Sequence, residues 1–469
     1  MAETPVQTTA VPAPSGEEWR ALETPMAHVG AAGNDATLAA AKANIARLRQ
    51  RDVAVRLVQR DGSPLAHRVV EVTQTRHAFP FGDQTWDLDR MHRFGVGAGD
   101  RAAAWRRRFA EVFNAATTLC YWTEAPRNDG PKMEDVQGQP TLEHFAACVD
   151  WAAAEGLTVK GHPLVWSIPK AWPQWLGRYD LATQMKFLEV RVRSIVARFR
   201  GKVAIWDVVN ESLWEPPPSQ LQRRHWPHVA AAADIADYVA PAVRWCREED
   251  PAAVLVLNDY GMETDDARHT PRALDGSAVT AARQRRRMLE LVEELSSRGA
   301  APDAIGLQSH TGGWIDPVTQ TRGYDELSAP GLPLHVTEFW ADTRGLIAAG
   351  VPEDEAAQRQ QQYVLDFLTT AFGHPAVDGM FFWGFMEAAI RWHPDHSGHQ
   401  TLPLFDAVRH RLREEWCTRH ALTTDAQGRV DFRGFLGDYA LSLDHPRFGP
   451  RAVRLTLDTH TPALLQLTF

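Results

Sequence analysis

Two glutamates stand at the ends of apolar runs. Ile205-Trp206-Asp207-Val208-Val209-Asn210-Glu211 closes on an amide beside a carboxylate, and Leu334-His335-Val336-Thr337-Glu338 closes on a second carboxylate. Short runs rich in β-branched and apolar residues read as buried strands, so each run delivers its polar tip to a strand's carboxyl end. Two carboxyl groups in different protonation states are what hydrolysis of an acetal requires. One gives a proton to the departing oxygen, and the other sets negative charge against a developing oxocarbenium ion. The pair is distant in sequence, so it meets only in a fold that brings remote strand ends to one rim.

From His77 onward, short apolar strands alternate with longer helical patterns, the signature of βα units around a parallel sheet. Eight strands are predicted: Ala78–Asp83, Thr117–Trp122, Thr158–Trp166, Val203–Glu211, Ala253–Asp259, Ala304–His310, Leu334–Phe339 and Val377–Phe385. Between the second and third, Leu142, Phe145, Val149 and Ala152 form a helical stripe closed by Gly156. A doubly wound sheet alternates in the same way. Eight strands with polar or aromatic residues gathered at their carboxyl ends favour the closed (β/α)8 barrel, in which the fourth and seventh strand ends share a rim.

The flanks read differently. Residues 1–33 are expected to be a flexible leader, and residues 34–52 a helix with Leu38, Ala41, Ile45 and Leu48 on one face and Asn34 and Asp35 as candidate caps. Residues 53–76 then alternate as a β-hairpin turned at Asp61-Gly62. After a barrel over 77–420, residues 425–469 read as strands Val430–Phe435, Tyr439–Leu443, Ala452–Leu457 and Leu464–Phe469. Hairpin and strands together predict a small accessory β-sandwich beside the barrel, acting as a buttress.

Composition narrows the function classes. A formal net charge of -9 and a pI near 6.1 give no basic footprint for nucleic acid; Arg106-Arg107-Arg108 and Arg285-Arg286-Arg287 read as solvated helix faces. No apolar span of membrane length is present. The start lacks the basic and apolar segments of an export signal, although its Thr-, Pro- and Ala-rich composition fits the remnant of one; a secreted or periplasmic location is the expectation, with a cytoplasmic one as the alternative. Cys120, Cys148, Cys246 and Cys417 are widely spaced and read as free buried thiols. Seventeen tryptophans against seven tyrosines point to a core partly shared with a platform for sugar rings, which stack on flat apolar faces. Oligomeric state is not legible.

The chain resembles glycoside hydrolase family 10, whose members are mainly retaining endo-β-1,4-xylanases, over about residues 77 to 417. Trp206-Asp207-Val208-Val209-Asn210-Glu211 is similar to the family's acid/base strand and Val336-Thr337-Glu338 to its nucleophile strand. Gly161-His162-Pro163-Leu164-Val165-Trp166, Asn258-Asp259-Tyr260, Gln308-Ser309-His310 and Trp383-Gly384 follow the third, fifth, sixth and eighth strand motifs. The resemblance implies Glu338 as nucleophile, held ionised by His310 and Gln308, and Glu211 as acid/base with its pKa raised by burial and by Glu338. It implies Asn210 on a sugar 2-hydroxyl, and His162, Trp166, Tyr260, Trp383 and Trp392 around the sugar. It also implies a carbohydrate substrate and no cofactor or metal.

Departures accompany the matches. Leu119-Cys120-Tyr121-Trp122-Thr123 stands where the family carries a Glu-Asn-x-Met-Lys string, Ser167 where a His is usual, and Phe339-Trp340 where an Asp often supports the sixth-strand histidine. His310 is thus expected to use another partner. The stretch Arg391-Trp392-His393-Pro394-Asp395-His396-Ser397-Gly398-His399 reads as a substrate-contacting loop, with metal binding as the weaker alternative. Asn210-Glu211-Ser212 fits a glycosylation sequon, but a buried strand end argues against it. Xylan or xylo-oligosaccharides are the leading substrate class. A different β-glycan, a glycoside with a bulky aglycone, and a catalytically silent carbohydrate-binding barrel remain as alternatives.

Overall fold

The computed structural model describes residues 31–94, 99–123, 133–134, 136–168, 171–214, 218, 231–264, 279–310, 314–393, 398–445 and 447–469. Residues 1–30 of the expected leader lie outside the described residues. The first helix runs over Ala31–Leu48, earlier at both ends than residues 34–52. Asn34 is buried inside it rather than capping it, and Ala41 and Ile45 pack its inner face. Arg49 ends it by turning its guanidinium onto the carbonyl oxygens of Phe372, His374 and Val377, at 2.9, 2.9 and 2.5 Å.

Strands β1 (Gln50–Val58) and β2 (Val69–His77) follow. They do not form the expected hairpin. The Asp61-Gly62 turn is present, with Gly62 at φ 83° and the Ser63 N–H donating to Asp61 Oδ1 at 2.9 Å. It closes only a bridge between Val58 and Pro64, after which the chain crosses to the opposite sheet. Period-two alternation tells which side chains are buried, and Val53, Val55, Leu57, Val70 and Val72 are; it does not tell which strand lies alongside.

The barrel comprises β3 (Phe81–Gln84), β4 (Ala115–Leu119), β5 (Thr158–His162) with β6 (Val165–Trp166), β7 (Ile205–Asn210), β8 (Val254–Asp259), β9 (Ala304–Leu307), β10 (Leu334–Phe339) and β11 (Val377–Phe382). All neighbours are parallel. β11 pairs with β3 and β5 with β7, which closes the ring at eight positions. The third position is split at Pro163, which has no N–H for the ladder. Helices between strands start on side-chain caps where the sequence supplies them: Asp180 accepts from Thr183 N–H, Thr280 from Arg283 N–H and Asp316 from Thr319 N–H.

Inside the barrel, Ala115, Ile205, Val256, Ala304 and Phe381 form one apolar layer. Phe381 fits because Gly82 has no Cβ: one built there would lie 2.6 Å from its ring. Lys160 and Asp207 are also wholly buried, with the Lys160 Nζ 5.1 Å from the Phe381 ring centroid. Outside, the strands pack on the helices through a large core that includes Trp105, Phe109, Phe145, Trp206 and Phe367.

After β11, β12 (Ile390–Trp392) and β13 (His399–Thr401) form a short antiparallel ribbon. The accessory strands are β14 (Arg419–Thr423), β15 (Arg429–Phe435), β16 (Gly437–His445), β17 (Gly449–Leu457) and β18 (Leu464–Thr468). One sheet has the order β15-β1-β18 and the other β14-β2-β16-β17. Val55, Leu57, Val72, Tyr439, Leu441 and Leu457 fill the space between. β14 is a strand that alternation could not reveal, because its residues are mostly exposed. Phe79, Phe81, Phe372, Trp416 and Phe435 join sandwich to barrel in one aromatic cluster. Truncating Phe372 to Ala in that setting costs roughly 3–5 kcal/mol. No helix among the described residues is long and apolar enough to cross a membrane.

Candidate active site

Asn210 is the last residue of β7, and Glu211 leaves the strand with φ 59°, in the left-handed region; Ser309, just past β9, does the same at φ 56°. Side chains rarely adopt this conformation, and where they do the surroundings must hold them, at a strain of about 1–3 kcal/mol. Here the Glu211 N–H donates to the Asn258 carbonyl at 2.8 Å. Buried Asp259 accepts from the N–H groups of Leu213 at 2.9 Å and Tyr260 at 3.0 Å, which pins the loop beyond.

A chain of amides joins the two carboxyl groups. Asn258 Nδ2 donates to Glu338 Oε1 at 2.6 Å and to Asn210 Oδ1 at 2.9 Å. Asn210 Oδ1 also accepts from Gln308 Nε2 at 3.1 Å, and the same nitrogen donates to Glu211 Oε1 at 3.0 Å. Strand register sets this up: Asn210 is the Cα partner of Asn258, and Asn258 that of Gly306. Gly306 leaves the room, since a Cβ there would lie 2.8 Å from Asn258 Oδ1. Thr337 Oγ1 donates to that same oxygen and fixes the amide's orientation.

The remaining carboxyl oxygens have unlike partners. Glu338 Oε2 lies 3.0 Å from His310 Nε2, and Glu211 Oε2 accepts from Trp166 Nε1 at 2.8 Å. His162 Nε2 is 3.7 Å from Glu338 Oε1, while its Nδ1 is 2.7 Å from Asp207 Oδ2, an oxygen that also meets Lys160 Nζ at 2.6 Å. A line of polar side chains, Lys160, Asp207 and His162, thus runs from the barrel interior to Glu338.

These surroundings drive the two glutamates apart. Burial works to raise the Glu338 pKa, but His162, His310 and Lys160 outweigh it and hold the carboxyl below the usual glutamate range. For Glu211, loss of hydration raises the pKa, the Gln308 and Trp166 hydrogen bonds draw it back, and the nearby Glu338 charge raises it further; the balance is upward. His310 is favoured as the cation by Glu338 in spite of its own desolvation. One carboxyl group is therefore prepared as an anion and its neighbour as an acid.

The structure brings Glu211, Glu338, Asn210, His162, Trp166, Gln308 and His310 together. Gln308 bonds Glu211 rather than Glu338, because the Asn258 amide already occupies Glu338 Oε1. Trp383 meets His162 edge-on at 5.1 Å and His310 at 6.5 Å. Tyr260 stacks on Trp214, at 4.8 Å and 9°, and its carbonyl accepts from Trp214 Nε1 at 2.7 Å. Trp392 packs against His399 at 4.9 Å with the Arg101 guanidinium 4.7 Å over its ring, and Arg391 is exposed on β12 opposite Gln400. Residues 394–397 of the expected loop lie outside the described residues. Among the described residues no three metal-ligating side chains are gathered as a metal ion would need.

Several site residues escape a sequence reading. Asn258 is the bridge between the carboxyl groups, and Lys160 and Asp207 hold His162. At the end of β4, Leu119 and Cys120 are buried, the Cys120 thiol donates to the Pro163 carbonyl at 3.3 Å, and Tyr121 packs 5.8 Å from His162 and 5.4 Å from Trp166. Phe339 turns outward onto Phe367. His310 accordingly finds its partner in Glu338 itself, with Glu263 nearby and bonded by the Ser309 hydroxyl at 2.7 Å. Asn210 is 2% exposed, which leaves no room for an attached glycan.

Fold and rim together define the class: a (β/α)8 barrel with two unlike carboxyl groups on its carboxyl-end rim. The signature of glycosyl hydrolase family 10 matches residues 128–411, and the chain belongs to that family. It is 26% identical over 436 residues to the anti-sigma-I factor RsgI6 of Acetivibrio thermocellus, covering 92% of this chain and 49% of that protein. It is 24% identical to endo-1,4-beta-xylanase 2 of Arabidopsis thaliana, covering 84% of this chain and 32% of the relative. The chain thus spans about half or less of the length of these curated relatives. Among solved structures, native xylanase 10B from Thermotoga maritima superposes with a TM-score of 0.51 at 19% identity, over 72% of this chain and 96% of that one. At that identity the likeness is one of fold.

Proposed function

We propose that this chain is a retaining glycoside hydrolase that cleaves β-glycosidic bonds by double displacement, with xylan or xylo-oligosaccharides as the leading substrate class. The observation that carries the reading is the opposed tuning of Glu211 and Glu338 within one hydrogen-bonded network. Glu338 attacks the anomeric carbon as the bond to the leaving oxygen breaks, and Glu211 gives its proton to that oxygen. The glycosyl ester so formed removes the Glu338 charge, and Glu211 becomes a stronger acid, ready to take a proton from water. Water then attacks, and Glu338 leaves as carboxylate. Asn210, with its oxygen committed to Asn258 and Gln308, has its amide hydrogens left for a sugar hydroxyl.

The test is turnover of aryl β-xylosides and xylo-oligosaccharides, with the anomeric form of the first product followed by NMR. Retention appears as an initial β-product. An initial α-product would overturn double displacement, and tight binding without turnover would favour a silent carbohydrate-binding barrel. Leu119, Cys120 and Tyr121 at the end of β4 support a second substrate reading, another β-glycan or a glycoside with a bulky aglycone. A panel of glycosides that differ in sugar separates the two.

A further inference from the structure

Ser309 stands between two residues that each engage a carboxyl group. Before it, Gln308 Nε2 donates to Glu211 Oε1 at 3.0 Å; after it, His310 Nε2 lies 3.0 Å from Glu338 Oε2. The backbone at Ser309 sets both side chains at once. It does so at φ 56°, a conformation that strains an L residue and persists only where the surroundings hold it. Ser309 is wholly buried, and its hydroxyl proton is given to Glu263 Oε1 at 2.7 Å.

Glu263 is itself firmly seated. It lies just beyond β8, is 3% exposed, and its second oxygen accepts from the Met262 N–H at 3.3 Å. Two helices fix the backbone that carries it. Arg285, in the helix Ala281–Ser297, donates from Nη1 to the Met262 carbonyl at 2.6 Å and from Nε to Glu326 Oε2 at 2.5 Å. Glu326 belongs to the helix Pro317–Leu327, whose Gly323 faces Glu263: a Cβ there would stand 3.9 Å from the Glu263 Cα. Burial raises the Glu263 pKa, and the Ser309 hydrogen bond, with His310, draws it back; the balance is upward. The hold on Ser309 does not depend on that balance, because a carboxyl group keeps an acceptor oxygen in either protonation state.

We infer that Glu263 is a positioning residue: the hydrogen bond it takes from the Ser309 hydroxyl holds the left-handed turn that sets Gln308 on Glu211 and His310 on Glu338. This rests on the glycosidase reading. One contact thereby governs the placement of the acid and of the nucleophile together, and its loss is felt in the chemical step rather than in substrate binding.

The experiment measures kcat, KM and melting temperature for wild type, Glu263→Gln, Glu263→Ala, Ser309→Ala and the double variant Glu263→Ala with Ser309→Ala, on the aryl β-glycoside that wild type turns over best. Glu263→Ala is expected to lower kcat about tenfold to a hundredfold and to leave KM within about threefold. Glu263→Gln keeps an acceptor oxygen and is expected to hold kcat within about threefold of wild type. Ser309→Ala is expected to lose about as much as Glu263→Ala, and the double variant no more than either, since all three break the same bond. The double variant leaves neither partner buried without the other, so it carries the test should Glu263→Ala fail to fold. Equal losses for Glu263→Gln and Glu263→Ala, multiplying losses in the double variant, a loss carried by KM, or an unaltered kcat in folded Glu263→Ala overturns the inference alone. Absence of turnover by wild type on every glycoside overturns the glycosidase reading and the inference with it.

Discussion

Lys160 Nζ and Asp207 Oδ2 lie 2.6 Å apart inside the barrel, and neither side chain is exposed. The pair is what keeps His162 Nδ1 engaged and its Nε2 turned to Glu338. Removing one buried partner strands the other charge, at about 3–5 kcal/mol. Lys160→Met is therefore expected to lose that much stability in urea unfolding, and Lys160→Met with Asp207→Leu to regain part of it. A single variant as stable as wild type would sink this account of the barrel interior.

Asn258 offers a sharper probe of catalysis. It gives Glu338 a 2.6 Å hydrogen bond that favours the carboxylate. Asn258→Leu is expected to lower kcat/KM by about tenfold to a hundredfold and to move the acidic limb of the pH profile upward. Loss of rate with an unmoved limb would mean that Asn258 acts only on packing.

Under the proposed mechanism the pH profile follows from the two opposed shifts. Glu338 must be ionised, so activity falls as pH drops through its depressed pKa, below the ordinary 4.5. Glu211 must be protonated, so activity falls as pH rises through its raised pKa, above 4.5. The expected kcat/KM profile is a bell. With an activated aryl leaving group, Glu211→Gln is expected to keep the acidic limb and lose the basic one. A retained basic limb would reassign the acid.

Acid stability should report on His335. Burial, helped by Lys160, lowers its pKa from 6.5 to about 4. Between those values the unfolded chain binds the proton and the folded chain does not, so stability declines as pH falls through about 6.5 and the loss is complete by about 4. Its size is roughly 3 kcal/mol. His335→Leu is expected to remove this component from a series of melting curves, and an unchanged slope would count against it.

How much of this could be read from the chain depends on what kind of information each feature carries. The placement of Glu211 and Glu338 at strand ends is legible because each follows an apolar run, and the barrel follows from eight apolar runs that alternate with helical patterns. The hairpin was misread because Asp61-Gly62 does turn the chain, yet partner choice is made by residues beyond position 418. Asn258 and Tyr260 sit two residues apart in one motif. Only the register of β7 against β8 decides that Asn258 meets the carboxylate, while Tyr260 stacks on Trp214. Lys160 escapes such a reading because its partner Asp207 lies on a different strand, and only the pairing of β5 with β7 brings the two charges together. Gln84 at the end of β3 and Glu387 beyond β11, whose side chains meet at 2.8 Å, carry no local signal, because their meeting depends on ring closure between β11 and β3.

The accessory sandwich imposes an order of assembly. Gln50 pairs with Phe435, Ala54 lies beside Leu464, and Val72 pairs with both His420 and Leu441. During synthesis β1 and β2 emerge before the barrel strands, yet every strand they bind is made after it. Two strands with apolar faces must wait unpartnered through the synthesis of the whole barrel, a long-range closure that is slow and exposed to aggregation. Once made, the sandwich is a completion seal: it forms only on chains whose barrel has been fully translated, and it draws the first and last barrel segments together.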